Sequence, residues 1–524
     1  MPALRTTSTP VEAADKVETR TWVAVLAAIL GVFMAILDVQ ITNASLRDIL
    51  GTLSATQEEG AWITTSYLAA EIVIIPMTPL LCRLFGLRRF MLTNALLFMI
   101  FSTLCGMAWN LPSMIIFRIF QGFTGGALIP TAMTLTLTHL PPAKRAMGLA
   151  IFMLSTTLAP AFGPVIGGYL TDLYSWPAIF YMNWFPGVFL IAGLAWGLNA
   201  EPGNLSLSRE VDWLALSAMV VGLGSLIVAL EEGNVNDWLE STLIRSLFAL
   251  SAIGIALWIG LSLRTEKPFI NLRLFARRNF IISSVVASIT GAGLYGSTYL
   301  LPLFLSQIAG YNSAQIGAVI MWMGLPQIIM MPIAAKLSTR FDNRIICSIG
   351  LLLFSISCFL NSTLTSLTTG SELVVSQVFR ALGQPLIILT LSNFATARLE
   401  LANMGSASGL FNMSRNLGGA IGTALLATGL TIREQVHSLR LGESVTLFSQ
   451  ATVERLRLFS DNVFLSTQGS SHDATQQALL TMDAIIRRES YIMAYNDCFL
   501  ILGVVLLASI LLIWLADPVI ARGK

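Results

Sequence analysis

Three ionisable residues stand inside long apolar runs of the first half of this sequence: Asp38, Glu71 and Arg118. A charged side chain at the centre of a bilayer costs about 2.5–3.5 kcal/mol on insertion scales, so such residues are candidates for function. At about 1.5 Å of rise per residue, Arg118 falls roughly 10 Å from the outer membrane face and Asp38 at a similar depth, with Glu71 deeper, at roughly 14 Å. A carboxylate and an arginine at matched depth can pair, which lowers the cost of burying both. Burial favours the protonated carboxyl and a neighbouring cation favours the ionised one. A carboxyl held between these influences can load and release a proton as its surroundings change. The competing reading is a static ion pair that holds helices together, in which arginine, always charged, serves only as partner. Arg380 and Arg415 have no obvious acid in the apolar runs of the second half. Contacts to backbone carbonyls or a structural role suit them as well as substrate contact does.

The elements that position these residues follow from composition. Of 524 residues, 55% are hydrophobic and 11% charged, against about 25% charged in soluble domains. The solvent of such a chain is largely lipid, where helices satisfy their own backbone groups. About fourteen spans are expected by hydropathy: six near 22–45, 61–82, 90–108, 112–136, 146–170 and 177–198, two near 213–231 and 242–262, and six near 280–305, 314–337, 345–362, 372–394, 404–430 and 491–516. The fold class expected is an all-α polytopic membrane protein. Its parts are an N-terminal tail (1–21), an N-terminal six-helix bundle (22–198), a linker carrying two additional spans (199–279), a C-terminal six-helix bundle (280–516) and a short tail (517–524). The first run starts at Trp22 and is too long for a signal-peptide core, so it reads as a span that stays in the membrane.

Arg83, Arg88, Arg89, Lys144, Arg145, Arg264, Lys267, Arg273, Arg277, Arg278, Lys336, Arg340, Arg344, Arg522 and Lys524 gather on one set of loops, which the positive-inside rule makes cytoplasmic together with both termini. The opposite loops carry little beyond Arg47 and Arg245, and one of them, Glu231 to Glu240, is acidic. The long outer stretch 431–490 contains Leu479, Leu480, Met482, Ile485 and Ile486, which suggest an amphipathic helix in need of a packing partner.

The two six-span blocks look like repeats. Phe117-Arg118-Ile119-Phe120-Gln121-Gly122 opens the fourth span of one, and Phe379-Arg380-Ala381-Leu382-Gly383-Gln384 that of the other; Met147-Gly148 is matched by Met404-Gly405. Parallel repeats related by an axis along the membrane normal are a transporter architecture with the substrate path between halves. In the fifth span, Pro160, Gly163, Pro164, Gly167 and Gly168 predict a bend at a close helix contact. Trp62, Tyr67, Phe117, Phe123, Tyr295, Tyr299, Trp322 and Met323 could line a broad apolar pocket or simply pack against lipid.

Other chemistries find little support. The net charge of +2 without a basic tract makes nucleic acid an unexpected partner. Cys82, Cys105, Cys347, Cys358 and Cys498 fall in or beside apolar runs and read as small core residues. His139 reads as a loop-edge residue, and His437 and His472 match no zinc spacing. No nucleophile–base set appears in the spans, so neither an enzyme nor a cofactor is expected.

These residues resemble the major facilitator superfamily, and within it the fourteen-span drug:proton antiporters of the EmrB/QacA type, closest to the EmrB branch. Leu37-Asp38-Val39-Gln40-Ile41-Thr42-Asn43 is similar to the first-span motif of that group, and Arg118 with Gln121-Gly122 to the fourth-span motif. Ala159-Pro160 through Gly163-Pro164 and Gly167-Gly168 is similar to the fifth-span antiporter motif, which in this superfamily goes with export. The resemblance implies proton coupling at Asp38 and Arg118 and an inner-membrane exporter of small lipophilic compounds. It also implies a periplasmic adaptor of the EmrA type, a membrane-fusion protein, and an outer-membrane channel of the TolC type. Two departures stand out: Pro79 and Arg83 replace the glycine and the acid of the superfamily's loop pattern, and no proline follows Asn43-Ala44-Ser45-Leu46. Export of one native metabolite, siderophore or lipid, or a non-transporting receptor or scaffold, are the alternatives.

Overall fold

The structure is a computed structural model that describes residues 18–265, 268–397, 399–446, 448–467 and 471–519. The tail as far as Val17, together with Lys267, Arg522 and Lys524, lies outside them. Among the described residues there is no strand. The first block forms α1 (Thr19–Ala44), α2 (Leu46–Leu53), α3 (Gln57–Phe85), α4 (Leu87–Gly106), α5 (Leu111–Gly126), α6 (Leu128–His139), α7 (Pro142–Tyr174), α8 (Ala178–Tyr181) and α9 (Trp184–Gly197). The two additional spans are α10 (Trp213–Gly233) and α11 (Thr242–Arg264). The second block forms α12 (Arg278–Gln307), α13 (Ser313–Arg340), α14 (Asn343–Leu360), α15 (Gly370–Thr396), α16 (Leu401–Ser444), α17 (Gln450–Thr467) and α18 (Ser471–Trp514).

Twelve segments are long and apolar enough to cross a membrane, with α5–α6 counted as one and α8–α9 as another; α7, a bent helix, makes a thirteenth. The remaining expected span, 404–430, lies within α16 but is too polar to meet the same standard. Ser408, Asn412 and Arg415 are the reason, and all three are buried against other helices. Polar side chains that face protein do not face lipid, so hydropathy along this helix understates its burial.

The same pairing scheme occurs twice. In one half α1 packs on α7 and α9, α3 on α5, and α4 on α5 and α9; in the other α12 packs on α16 and α18, α13 on α15, and α14 on α15 and α18. The halves meet along two seams, α7 with α13 and α3 with α16. Small residues allow the tightest approaches. A Cβ on Gly167 would lie 3.1 Å from the Ile41 carbonyl oxygen of α1, and one on Gly418 of α16 would run into the Ser288 backbone of α12. α7 bends by 45° between Met147–Pro160 and Phe162–Tyr174. Pro164 has no N–H to give the Pro160 carbonyl, which removes one rung of the helix ladder there.

The additional helices are not equivalent. α10 packs on α3 and α16, covering one seam, whereas α11 packs on α10 and the turns flanking it. Leu243, Leu250, Ile253 and Leu257 of α11 are exposed, as a lipid-facing helix requires.

The stretch 431–490, expected to carry an amphipathic helix, is largely helical among the described residues. α16 and α18 run on as helices, with α17 packed along α18. At their base the Asp497 carboxylate accepts hydrogen bonds from Arg433 Nε at 2.6 Å and from His437 Nε2 at 2.7 Å. Of the expected amphipathic face only Met482 is buried and Ile486 half-buried, while Leu479, Leu480 and Ile485 are exposed.

Candidate functional site

The structure brings Asp38 and Arg118 into contact and sets Glu71 apart from them. Arg118 Nη1 donates to Asp38 Oδ2 at 2.5 Å and to Gln121 Oε1 at 2.8 Å, and Arg118 Nε donates to the Ile63 carbonyl at 3.2 Å. The other Asp38 oxygen accepts from Gln121 Nε2 at 2.9 Å and from Asn183 Nδ2 at 2.8 Å. Arg118 and Gln121 stand one helical turn apart on α5 and so point the same way. Asn183 reaches in because the sixth span is interrupted between α8 and α9. Asp38, Arg118, Gln121 and Asn183 are all buried. Removing one member of such a set leaves an uncompensated charge in a low-dielectric interior.

Tyr67 links this network to the centre of the protein. Its ring lies 4.2 Å from the Arg118 guanidinium carbon, a cation–π distance, and its hydroxyl donates to the Ala35 carbonyl at 3.1 Å. Gly122 makes room for the contact, since a Cβ there would collide with the Tyr67 backbone. One turn along α3, Glu71 accepts a hydrogen bond from Asn416 Nδ2 of α16 at 3.1 Å.

Glu71 lines a cavity of about 640 Å³ between the halves, beside Asn43, Pro164, Glu231, Tyr295 and Tyr299. Apolar walls with a few polar groups are typical of small-molecule sites. Among the described lining residues the acids are Glu71 and Glu231, and no Lys, Arg or His is present. Asn43 accepts from Thr64 Oγ1 at 2.6 Å and is solvent-exposed, which puts a mouth of the cavity at the end of the bundle where α1 finishes. At the other end the halves are closed. Ser408 Oγ of α16 donates to the Pro130 carbonyl at 3.3 Å, and a Cβ on Gly405 would lie 3.3 Å from Pro79 Cβ.

The remaining expected residues divide clearly. Pro160, Gly163, Pro164, Gly167 and Gly168 all lie on α7, where Gly163 packs on Gln40 and Gly167 on Ile41 of α1. Arg380 is buried and donates to the Leu294 carbonyl at 3.0 Å and Thr298 Oγ1 at 2.8 Å, so a carbonyl and a hydroxyl stand where Arg118 has a carboxylate. Arg415 is buried on α16, within electrostatic reach of Glu71. Arg83, the departure from the loop pattern, donates to the Phe269 carbonyl at 3.3 Å.

Sequence reasoning missed Asn183, Asn416, Glu231 and Glu232. The acidic outer loop expected at Glu231 to Glu240 starts later than that. Glu231 and Glu232 belong to the last turn of α10, where Glu232 accepts from Thr65 Oγ1 at 3.0 Å and Glu231 faces the cavity. Two acids closing an apolar run resemble a loop boundary, and only the packing of α10 against α3 shows otherwise.

Two six-helix halves around a shared cavity define a membrane transport protein. A family model described as the Major Facilitator Superfamily matches residues 28–423, and the chain belongs to that superfamily. It is similar to the colistin resistance protein EmrB of Acinetobacter baumannii, 34% identical over 96% of this chain and 97% of that protein. It is also similar to the multidrug export protein EmrB of Haemophilus influenzae, 29% identical over 94% and 95%. In fold it is similar to the human organic anion transporter MFSD10, with a TM-score of 0.59 at 13% identity over 94% of this chain and 99% of that one.

Proposed function

We propose that this chain is an inner-membrane exporter of small lipophilic compounds driven by proton antiport, and that it works with a periplasmic adaptor and an outer-membrane channel. The observation that carries the reading is the line from Glu71 in the cavity wall, through Tyr67 one turn away, to the buried Asp38–Arg118 pair. Substrate in the cavity and a proton on either carboxyl can each alter the contacts of that line, which is the coupling an antiporter needs. Each proton moving inward supplies about 2.3 kcal/mol per 100 mV of membrane potential. With both termini cytoplasmic, the mouth beside Asn43 faces outward. The name of the multidrug export protein EmrB of Haemophilus influenzae supports the direction of transport, and the helical extension beyond Thr431 offers a surface for the adaptor.

Inverted vesicles loaded with this protein test the reading. Uptake of a lipophilic fluorophore is expected to follow an imposed proton gradient, to stop when it is collapsed, and to be lost in Asp38→Asn and Glu71→Gln. Gradient-dependent uptake in both variants refutes the assignment. Crosslinking between residues 431–490 and a co-expressed adaptor tests the partnership, and a resistance phenotype that survives loss of the adaptor removes it.

A further inference from the structure

We propose that Glu231, supplied by the additional helix α10, is the cation-recognising group of the central cavity and selects lipophilic cations as a substrate class. The inference rests on the cavity being the substrate site of the proposed exporter. Glu231 lines the cavity but makes no hydrogen bond or ion pair with a described residue. Its neighbour Glu232 is not part of the lining and is bonded to Thr65, a tie to α3 that holds the last turn of α10 at the cavity wall. Glu71, the other acid of the wall, is already engaged by Asn416 and lies within reach of the Arg415 charge.

The cavity therefore presents one carboxylate held by a hydrogen bond from the protein and one without. Tyr295 and Tyr299 line the same cavity as Glu231. Aromatic faces beside an anion suit a cation whose charge is spread over apolar surface. A carboxylate in a partly desolvated wall is poorly served by water and gains most from a ligand that brings the opposite charge. Geometry also explains why the group comes from α10. The α3–α16 seam has to change during alternating access, and a helix laid over that seam can present a side chain to the cavity without belonging to either half.

Purified full-length protein in lipid nanodiscs provides the test, with tetraphenylphosphonium as the cation and triphenylphosphine oxide as a neutral probe of similar shape. Glu231→Gln is expected to weaken phosphonium binding about tenfold, equivalent to about 1.4 kcal/mol, and to leave the neutral probe unchanged, while Glu231→Asp keeps most of the affinity. Unchanged phosphonium binding in Glu231→Gln overturns the proposal, as does equal loss of both probes. Normal binding of both with loss of transport also overturns it, since Glu231 would then serve the proton. Because binding is read without a gradient, charge-selective binding in a protein that transports nothing would refute the exporter reading and leave this one standing.

Discussion

Thr65 donates its hydroxyl proton to the Glu232 carboxylate over 3.0 Å, tying α3 of the first half to a helix that belongs to neither half. On the other side of the seam, Trp238 Nε1 donates to Thr428 Oγ1 of α16 at 2.9 Å. α10 and the turn after it therefore grip both halves at the mouth end. A double-mutant cycle with Thr65→Val and Glu232→Gln is expected to give a coupling of about 1.5 kcal/mol in unfolding, the range for a buried hydrogen bond to an acid. Strict additivity of the two melting shifts would mean that the tie contributes nothing.

Asp38→Asn leaves the Arg118 guanidinium buried without its counter-charge, and the expected loss of stability is about 3 kcal/mol. The double variant Asp38→Asn with Arg118→Met removes the stranded charge and should melt at a higher temperature than Asp38→Asn alone. Neither is expected to transport. A single variant as stable as the parent would show that the ion pair is neutral to folding.

Alternating access requires the α3–α16 contact at the closed end to separate. In a background in which the five native cysteines are replaced, Pro79→Cys with Gly405→Cys should crosslink on oxidation. Transport should then stop and return on reduction. Continued transport by crosslinked protein would place the moving contact elsewhere.

Gly163 and Gly418 make close contacts in the corresponding helix pairs of the two halves, on α7 against α1 and on α16 against α12. Alanine at either position inserts a methyl group where the neighbouring chain already stands, and overpacking of this kind costs about 1–3 kcal/mol. Both variants should yield less monodisperse protein in size-exclusion chromatography, by similar amounts. A loss confined to Gly163→Ala would give the fifth-span motif a role beyond packing.

Much of this architecture is legible in the sequence. Charge scarcity and apolar run length were enough for a helical membrane protein, and the Arg118 and Arg380 segments exposed the repeat. Asp38 and Arg118 fall at matched depth along their spans, and the two touch. The same depths set Glu71 farther in but leave open which way it points, because depth along a span says nothing about rotation around the helix axis; it faces the cavity. Asn183 and Asn416 carry no charge and stand in unremarkable polar positions, so nothing in the sequence separates them from helix-end residues. Glu231 was misread for a related reason, since hydropathy ends a span at its first acids whether or not the helix ends there. The polar α16 shows the opposite error, for its buried serines and asparagines lower the apolarity of a helix that is nonetheless packed among the others.

α16 has 44 residues, and at 1.5 Å per residue it is a rod of about 66 Å. A hydrocarbon core of about 30 Å holds less than half of that length. The rod also carries Asn416 at the cavity and forms one wall of the moving seam. A tilt of 10° pivoting at mid-membrane would swing the free end sideways by several ångströms, far more than any displacement at the cavity itself. A helix of that length has the proportions of a lever arm, in which a small reorientation inside the bilayer becomes a larger displacement well beyond it.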